Sequence, residues 1–198
     1  MDNFQAEANI KTIREIMERS TRYTNFSGFS GIIAGLLALC GCGVSLWIAG
    51  DQKWGNDPIT YMVIWGIVFI AAVTQDFLFA SRKAKNNGDK LLNPASIMVI
   101  KSVLPGIALA LALSIKGIVT KDWNTIPVYW TLCYGVADYA AGAFSVPEVR
   151  TFGLAQLITG IIGLFVVTNW TSCMFLIALS FGLYHILFGI FILRKYGR

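Results

Sequence analysis

The feature that most constrains this chain is a succession of apolar stretches, each long enough to cross a bilayer. A membrane-spanning helix needs about 20 predominantly apolar residues, and in lipid its backbone polar groups must be satisfied within the helix itself. Short polar breaks that contain glycine, asparagine or proline separate the stretches. We therefore predict an all-α polytopic membrane protein with six transmembrane helices, at about 28–49, 58–80, 97–118, 125–145, 149–168 and 171–193.

Composition supports the same class of protein. Hydrophobic residues make up 56% of the 198 residues and charged residues only 14%, too few to cover the surface of a soluble domain of this size. The net charge of +5 comes from basic residues beside the apolar stretches, a pattern typical of membrane orientation and not of nucleic-acid binding. We expect a lipid bilayer as the main partner and no nucleic acid.

The distribution of Lys and Arg predicts the orientation. If the N-terminus is cytoplasmic, twelve basic residues flank the spans on that side and three on the other. The twelve are Lys11, Arg14, Arg19, Arg22, Arg82, Lys83, Lys85, Lys90, Arg150, Arg194, Lys195 and Arg198, and the three are Lys53, Lys116 and Lys121. Because positive residues are retained on the cytoplasmic side, we expect both termini in the cytoplasm and an inner-membrane location.

Residues 1–27 precede the membrane domain, residues 28–198, and predict an amphipathic helix. Apolar side chains recur at helical spacing while charged residues occupy the other face; the apolar ones are Phe4, Ile10, Ile13, Ile16 and Met17. The pattern is typical of an interfacial helix on the inner leaflet. A docking helix for a cytosolic protein partner is the alternative.

An offset of 47 residues aligns the third and fourth predicted spans with the fifth and sixth. The aligned pairs are Gly106 with Gly153, Tyr134 with Phe181, Gly135 with Gly182, Asp138 with His185, Gly142 with Gly189 and Phe144 with Phe191. Trp65 and Gly66 supply a weaker copy in the first two spans. The alignment predicts three helical hairpins in a parallel repeat, unless Gly-rich apolar helices align by chance.

Small residues recur along several spans. Helices in lipid associate by close van der Waals packing, which small residues allow. The candidates are Gly31, Gly35, Gly135, Gly142, Gly182 and Gly189. They predict either packing within the chain or a homodimer seam.

The ionisable residues inside the apolar stretches are the candidate functional residues. Asp138 and His185 are equivalent in the repeat, and each lies nine residues before Pro147 or Arg194, which predicts a depth of roughly 13 Å for both. A carboxylate favours the protonated form of a neighbouring imidazole, so the pair could relay protons or act as a pH-sensitive latch. A purely structural hydrogen bond is the alternative.

Three further polar residues, Asp76, Lys101 and Gln156, fall in the cytoplasmic half of their predicted spans. With Asp138 and His185 they could line a cavity open to the cytoplasm, in which Asp76 and Lys101 neutralise each other. Alternatively, Lys101 reaches the lipid headgroups along its aliphatic stem.

The sequence contains no phosphate-binding loop, no zinc-protease motif and no nucleophile elbow. One histidine and scattered carboxylates cannot form a haem, zinc or di-iron site of ordinary ligation. We expect no enzymatic activity, no cofactor and no metal.

Segments 13–23, 27–31, 181–185 and 189–196 resemble those of a family of small, uncharacterised six-span proteins of Bacteroidetes-type bacteria. The resemblance implies a bacterial inner-membrane location and brings no activity with it. The hairpin plan is also loosely similar, in architecture alone, to the short-repeat membrane proteins linked to acid resistance.

These observations lead to two hypotheses for function. The first is a small channel-like or transporter-like protein with a pH-responsive polar cavity around Asp138 and His185. The second is a non-transporting scaffold or sensor that docks a cytosolic partner through its N-terminal helix and the basic segment 82–90.

Overall fold

The computed structural model describes residues 23, 24, 26–49, 58–88 and 90–196, and these residues form a helical bundle. The helices are α1 (Gly28–Ala49), α2 (Pro58–Asn87), α3 (Pro94–Val119), α4 (Ile126–Ala141), α5 (Pro147–Val166), α6 (Trp170–Ile177) and α7 (Tyr184–Tyr196). A 3₁₀ turn (Trp123–Thr125) precedes α4, and a π turn (Ala178–Leu183) joins α6 and α7 into one continuous helix. The predicted interfacial helix before residue 23 lies outside the described residues.

The helix boundaries have local causes. Proline opens α2, α3 and α5, where its missing N–H has no helical partner to lose. Asn93 and Asn169 cap α3 and α6, because each side-chain oxygen accepts the backbone N–H of Ser96 or Ser172 at 2.9 Å. Both caps are reciprocal, since the serine hydroxyl in turn accepts the backbone N–H of the asparagine.

Five helices are long and apolar enough to cross a membrane: α1, α2, α3, α5 and the continuous helix Trp170–Tyr196. Helix α4 has 16 residues, about 24 Å at a rise of about 1.5 Å per residue, against a hydrocarbon thickness of about 30 Å. It ends at Ala141, short of the predicted boundary at 145, because residues 142–146 form the turn into α5. The count of long apolar helices is therefore one fewer than the predicted number of spans.

Helix α2, in contrast, is longer than predicted. It continues seven residues beyond the predicted boundary at 80 and ends at Asn87. The basic residues Arg82, Lys83 and Lys85 thus lie on a helix, where the sequence predicted a loop.

The distribution of side chains is the reverse of that in a soluble protein. Residues buried between helices are mostly small, such as Ala38, Ala110 and Ala137, whereas many large apolar side chains face outward. Trp47 is 81% exposed and Phe165 is 80% exposed. Lipid is the solvent in which such a surface is stable, and small buried residues are what helix association in lipid requires. The fold is therefore consistent with location in a membrane.

Two close helix crossings organise the bundle. Helix α4 packs against α3 on one side and α5 on the other, and α1 packs against α7, the π turn and α2. We call the end of the bundle at which α2, α4 and α7 finish the basal end; α1, α3 and α5 begin there. An ion pair between Lys195 and Glu148 joins the end of α7 to the start of α5, and the Tyr196 hydroxyl donates to Glu148 Oε2 at 3.0 Å.

The glycines selected from the sequence lie at these crossings, within the single chain. A Cβ on Gly31 would lie 3.1 Å from Gly189 Cα, and a Cβ on Gly35 would lie 2.6 Å from Gly182 O. On the other side of the bundle, Gly135 and Gly142 approach the backbone of α5 at Leu157 and Arg150, at 2.5 and 2.6 Å from an added Cβ. The six glycines therefore serve the contacts of α1 with α7 and of α4 with α5.

Candidate functional site

His185 lies in the first turn of α7 and is buried, with both ring nitrogens engaged. Nδ1 is 3.3 Å from the carbonyl oxygen of Ser180, and Nε2 is 3.2 Å from the Tyr134 hydroxyl on α4. A carbonyl can only accept, so Nδ1 carries the proton, and in a neutral imidazole Nε2 must then accept from Tyr134. The geometry thus defines the tautomer and the direction of the chain of hydrogen bonds.

The π turn places the Ser180 carbonyl where side chains can reach it. A π turn is wider than an α turn, and such turns are often found at functional sites. Besides His185, the Ser180 oxygen accepts Gln156 Nε2 from α5 at 2.9 Å. Gln156 is fully buried, and its own oxygen, Oε1, has no partner in the described part of the chain. Side chains from α5 and α7 therefore converge on one carbonyl, and α4 reaches it only indirectly, through the bond of Tyr134 to His185.

Aromatic rings enclose the imidazole on several sides. Phe152 meets it edge-on with ring centroids 4.9 Å apart, Phe181 stacks on it at 5.8 Å, and the Tyr134 ring lies at 5.5 Å. Packing of this kind fixes the orientation of the His185 ring and keeps water from it.

Asp138 does not contact His185, contrary to the sequence-based expectation that the two meet. No hydrogen bond among the described residues joins them, and Tyr134 takes the place at His185. Helix α4 ends six residues before Pro147, so Pro147 does not mark the end of the helix that carries Asp138. Asp138 is three residues from the end of its helix, about 4.5 Å, whereas His185 is eleven from the end of α7, about 16 Å.

The Asp138 carboxyl group is nevertheless the least satisfied polar group in this region. Its Oδ2 atom is buried and has no hydrogen-bond partner within the described residues. It lies one helical turn from Tyr134, close enough for the two groups to interact electrostatically. It also feels the charge of Asp76 on α2. Two carboxyl groups, on α2 and α4, therefore lie within electrostatic range of one another.

Gln75, the neighbour of Asp76, belongs to the same region although the sequence analysis did not select it. Its Nε2 donates to the Ser30 carbonyl of α1 and to Asp76 Oδ1, both at 3.2 Å. This fixes the amide orientation, since the reversed amide would set oxygen against oxygen. Gln75 Oε1 is then buried without a donor in the described structure. Acceptor atoms thus outnumber donors around the two carboxylates.

We call the space between α2 and α4 that contains Asp76 and Asp138 the carboxylate recess. At its far side from the basal end, Phe69 of α2 and Trp130 of α4 touch with ring centroids 5.6 Å apart. Towards the basal end the two helices do not pack closely against each other. Asp76 lies on an exposed face of α2, and its charge reaches Asp138 on α4.

Lys101 does not neutralise Asp76. Its side chain is exposed on α3, and the ion pair of Lys195 with Glu148 is the only one found in the described ranges. Lys83, two helical turns after Asp76, instead donates to the Phe26 carbonyl at 2.8 Å. Within the described residues, neither carboxylate of the recess is paired with a basic side chain.

The described residues contain no group of three His, Cys, Asp or Glu side chains that could hold a metal ion. Of the sequence-based candidates, the structure brings His185 and Gln156 together at Ser180, and Asp138 and Asp76 together across the recess. Tyr134 links the two groups. The sequence offers one signal for Tyr134. It lies four residues before Asp138, and residues four apart share a helix face.

No family model, no curated protein and no solved structure matches this chain. Its function must therefore be inferred from the carboxylate recess and the His185 network themselves.

Proposed function

We propose that the chain is a six-span protein of the bacterial inner membrane with both termini in the cytoplasm, so that the basal end faces inward. The basic residues at the predicted cytoplasmic ends of the spans support this orientation. Helix α4, together with the 3₁₀ turn before it, would be the sixth span. A helix shorter than the hydrocarbon thickness is accommodated by local thinning of the bilayer at modest cost.

We also propose that the bundle derives from repeated hairpins. The crossing of α4 with α5 uses Gly135 and Gly142, and the crossing of α7 with α1 uses their 47-residue equivalents, Gly182 and Gly189. In each crossing the glycine that comes first in the chain, Gly135 or Gly182, lies nearer the middle of the bundle. Equivalent glycines at equivalent crossings are what duplication of a hairpin produces.

Within this frame, we propose that the protein is a transporter-like or channel-like protein that binds a proton or a monovalent cation in the carboxylate recess. The observation that supports this most directly is the buried Oδ2 of Asp138, within electrostatic range of Asp76, for which the described part of the chain supplies neither a hydrogen-bond donor nor a basic side chain. Ionisable side chains inside membrane spans almost always pair with another group, because a buried charge without a partner is costly. We take a cation or a proton to be the partner of Asp138 and Asp76.

The His185 network favours binding over a continuous proton path. Tyr134 donates to His185 Nε2, and His185 Nδ1 donates to the Ser180 carbonyl. A backbone carbonyl has no proton to pass on, so this chain of hydrogen bonds stops at Ser180. The network therefore connects the recess to the π turn, and through that turn to the contact between α1 and α7. It does not form a proton-conducting path across the membrane.

The experiment is a flux assay on purified protein in liposomes, with proton and monovalent-cation uptake measured under an imposed gradient between pH 5 and 8. We expect Asp138→Asn and Asp76→Asn to lower flux at least tenfold, while Asp138→Asn unfolds no more easily than the unsubstituted protein. Glu148→Gln is the matched control, since it neutralises a carboxylate outside the recess.

Flux that persists when both Asp76 and Asp138 are replaced would contradict the proposal. Loss of stability in Asp138→Asn would instead assign that residue a structural role. If folded protein conducts nothing at any pH in this range, the scaffold or sensor hypothesis gains.

A further inference from the structure

Helix α2 has a broad apolar face that the other described helices do not cover. Among those helices it packs closely only against α1, apart from the contact between the Phe69 and Trp130 rings. Large exposed side chains line the face turned away from α1, which we call the α2 face; they include Ile70, Val73 and Phe77. In a membrane, such a face is covered either by lipid or by another helix.

The α2 face carries a charge, which makes lipid alone a poor cover for it. Asp76 lies beside Val73 and Phe77 and is exposed. Within the described residues its side chain accepts one hydrogen bond, from the uncharged amide of Gln75. Ionisable side chains inside membrane spans almost always face protein or water and pair with another group, because a charge against lipid is costly. The position of Asp76 therefore indicates that protein covers this face.

A charge of opposite sign lies on the exposed face of α3. Lys101 is exposed between Ile97, one turn before it, and Leu104, about one turn after it, and we call these three residues the α3 face. In the part of the chain that the structure describes, α3 does not pack closely against α2, and Lys101 has no ion pair. Each face is thus an apolar surface with one charge in it, and the two charges are complementary.

The depths of the two charges are compatible. A Cβ on Gly106 of α3 would lie 2.8 Å from the Cβ of Ala137 on α4, so these two residues are level. Asp76 lies within electrostatic range of Asp138, the neighbour of Ala137. Lys101 comes five residues before Gly106, about 7.5 Å nearer the basal end. The flexible four-carbon stem of lysine can carry its ammonium group from there towards the level of Asp76.

We infer that the chain forms a homodimer in which the α2 face of each copy packs against the α3 face of the other, and Asp76 of each copy pairs with Lys101 of the other. In a dimer with two-fold symmetry the same contact occurs twice, so both pairs form together. Each recess then retains one uncompensated carboxyl group, that of Asp138, which a single proton or monovalent cation balances. The dimer goes beyond the proposed function and does not depend on it.

The test measures association of the full chain in liposomes at low protein-to-lipid ratio, by energy transfer between copies with donor or acceptor fluorescent tags at the C-terminus. Asp76→Lys and Lys101→Asp, each studied alone, should associate at least tenfold more weakly than the unsubstituted protein, because like charges then meet at both contacts. Asp122→Lys is the matched control. It makes the same change of charge at an exposed position outside both faces and should leave association unchanged.

A mixture of the two variants provides the decisive comparison. In a dimer of one Asp76→Lys copy and one Lys101→Asp copy, both contacts join opposite charges, so association should return close to that of the unsubstituted protein. Pairing of positions 76 and 101 within one chain cannot give this result, because each variant has like charges at the two positions of its own chain.

If the charge-reversed variants fail to fold, a second measurement leaves both charges in place. One copy carries Phe77→Cys and a copy with a different tag carries Leu104→Cys, both in a Cys40→Ser background because the other three native cysteines are buried. We expect oxidation in the membrane to join the two tags through a disulfide. Leu154→Cys in place of Leu104→Cys is the control, since Leu154 is exposed on α5, beside Gly153 at the level of Asp138, and should not be joined.

Unsubstituted protein that remains monomeric overturns the inference, because lipid then covers the α2 face. A mixture that associates no better than its separate components overturns it as well, and so does equal cross-linking of Leu104→Cys and Leu154→Cys. The proposed function is judged separately. Asp138-dependent flux through a monomer would retain the cation site and remove the dimer, whereas a dimer that passes the mixing test but conducts nothing would do the reverse.

Discussion

The close approach of α4 to α5 at Gly135 allows a prediction in which two effects of one substitution can be separated. An alanine Cβ at Gly135 would lie 2.5 Å from Leu157 N and 2.9 Å from Gly153 O, both backbone atoms of α5. Since ordinary contacts begin near 3.4 Å, the helices must move apart by about 0.9 Å there. Overpacking of this kind typically costs 1 to 3 kcal/mol, and rigid backbone neighbours place Gly135→Ala near the upper end, about 3 kcal/mol.

The opposing effect is helix propensity. Alanine in a helix interior is favoured over glycine by about 1 kcal/mol, so the expected net loss for Gly135→Ala is about 2 kcal/mol. Gly66, its equivalent in the first hairpin, has nothing within 4 Å of an added Cβ. Gly66→Ala therefore keeps the propensity gain without the clash. The difference between the two variants, about 3 kcal/mol, isolates the packing cost because the propensity contribution cancels.

The assay is reversible unfolding in mixed micelles, in which a denaturing detergent is added stepwise and helicity is followed by circular dichroism. Gly135→Ala should unfold at a lower fraction of denaturing detergent than the unsubstituted protein, and Gly66→Ala at the same or a higher one. If the two variants have the same free energy of unfolding, α4 and α5 are not in backbone contact at Gly135, and the reasoning from close packing is refuted.

Three further substitutions test the polar contacts by the same unfolding assay. Tyr134→Phe leaves His185 Nε2 buried without a donor and should cost about 1 to 3 kcal/mol, whereas Tyr139→Phe, at an exposed position, should cost little. Gln156→Leu removes one donor from the carbonyl in the π turn but also an unsatisfied buried oxygen, so we expect a loss smaller than that of Tyr134→Phe. Glu148→Gln breaks an exposed ion pair and should leave stability nearly unchanged at high salt; a large loss there would show that the pair holds the basal end together.

Much of the helical framework could be predicted from the sequence because its signals are local. Apolar length defines the long helices, and proline or a capping asparagine marks where several of them start. The end of α4 was harder to predict. Three of the four residues 143–146 are as apolar as the helix before them, yet they form a turn, in which the Phe144 carbonyl accepts the N–H of Tyr23 from a distant part of the chain.

In the candidate site, the individual residues could be predicted from the sequence, but their contacts could not. Polar residues inside apolar stretches can be recognised one by one, which is how Asp138, His185, Asp76 and Gln156 were selected. Their partners depend on where each helix ends and on the π turn, and neither follows from periodicity. Alignment of the repeat paired Asp138 with His185 in sequence, but the α4 residue that bonds to His185 is Tyr134, one turn earlier.

The π turn at Ala178–Leu183 also determines which way the last helix faces. An α-helix turns by about 100° per residue, so the extra residue that a π turn accommodates rotates everything after it relative to an uninterrupted helix. His185 and Gly189 both follow the turn. Deleting one residue from the turn would restore an ordinary helix while swinging the imidazole away from Tyr134 and the glycine away from α1. The single extra residue in the π turn therefore sets the rotation of α7. That rotation determines both where the His185 imidazole lies and which face of α7 packs against α1.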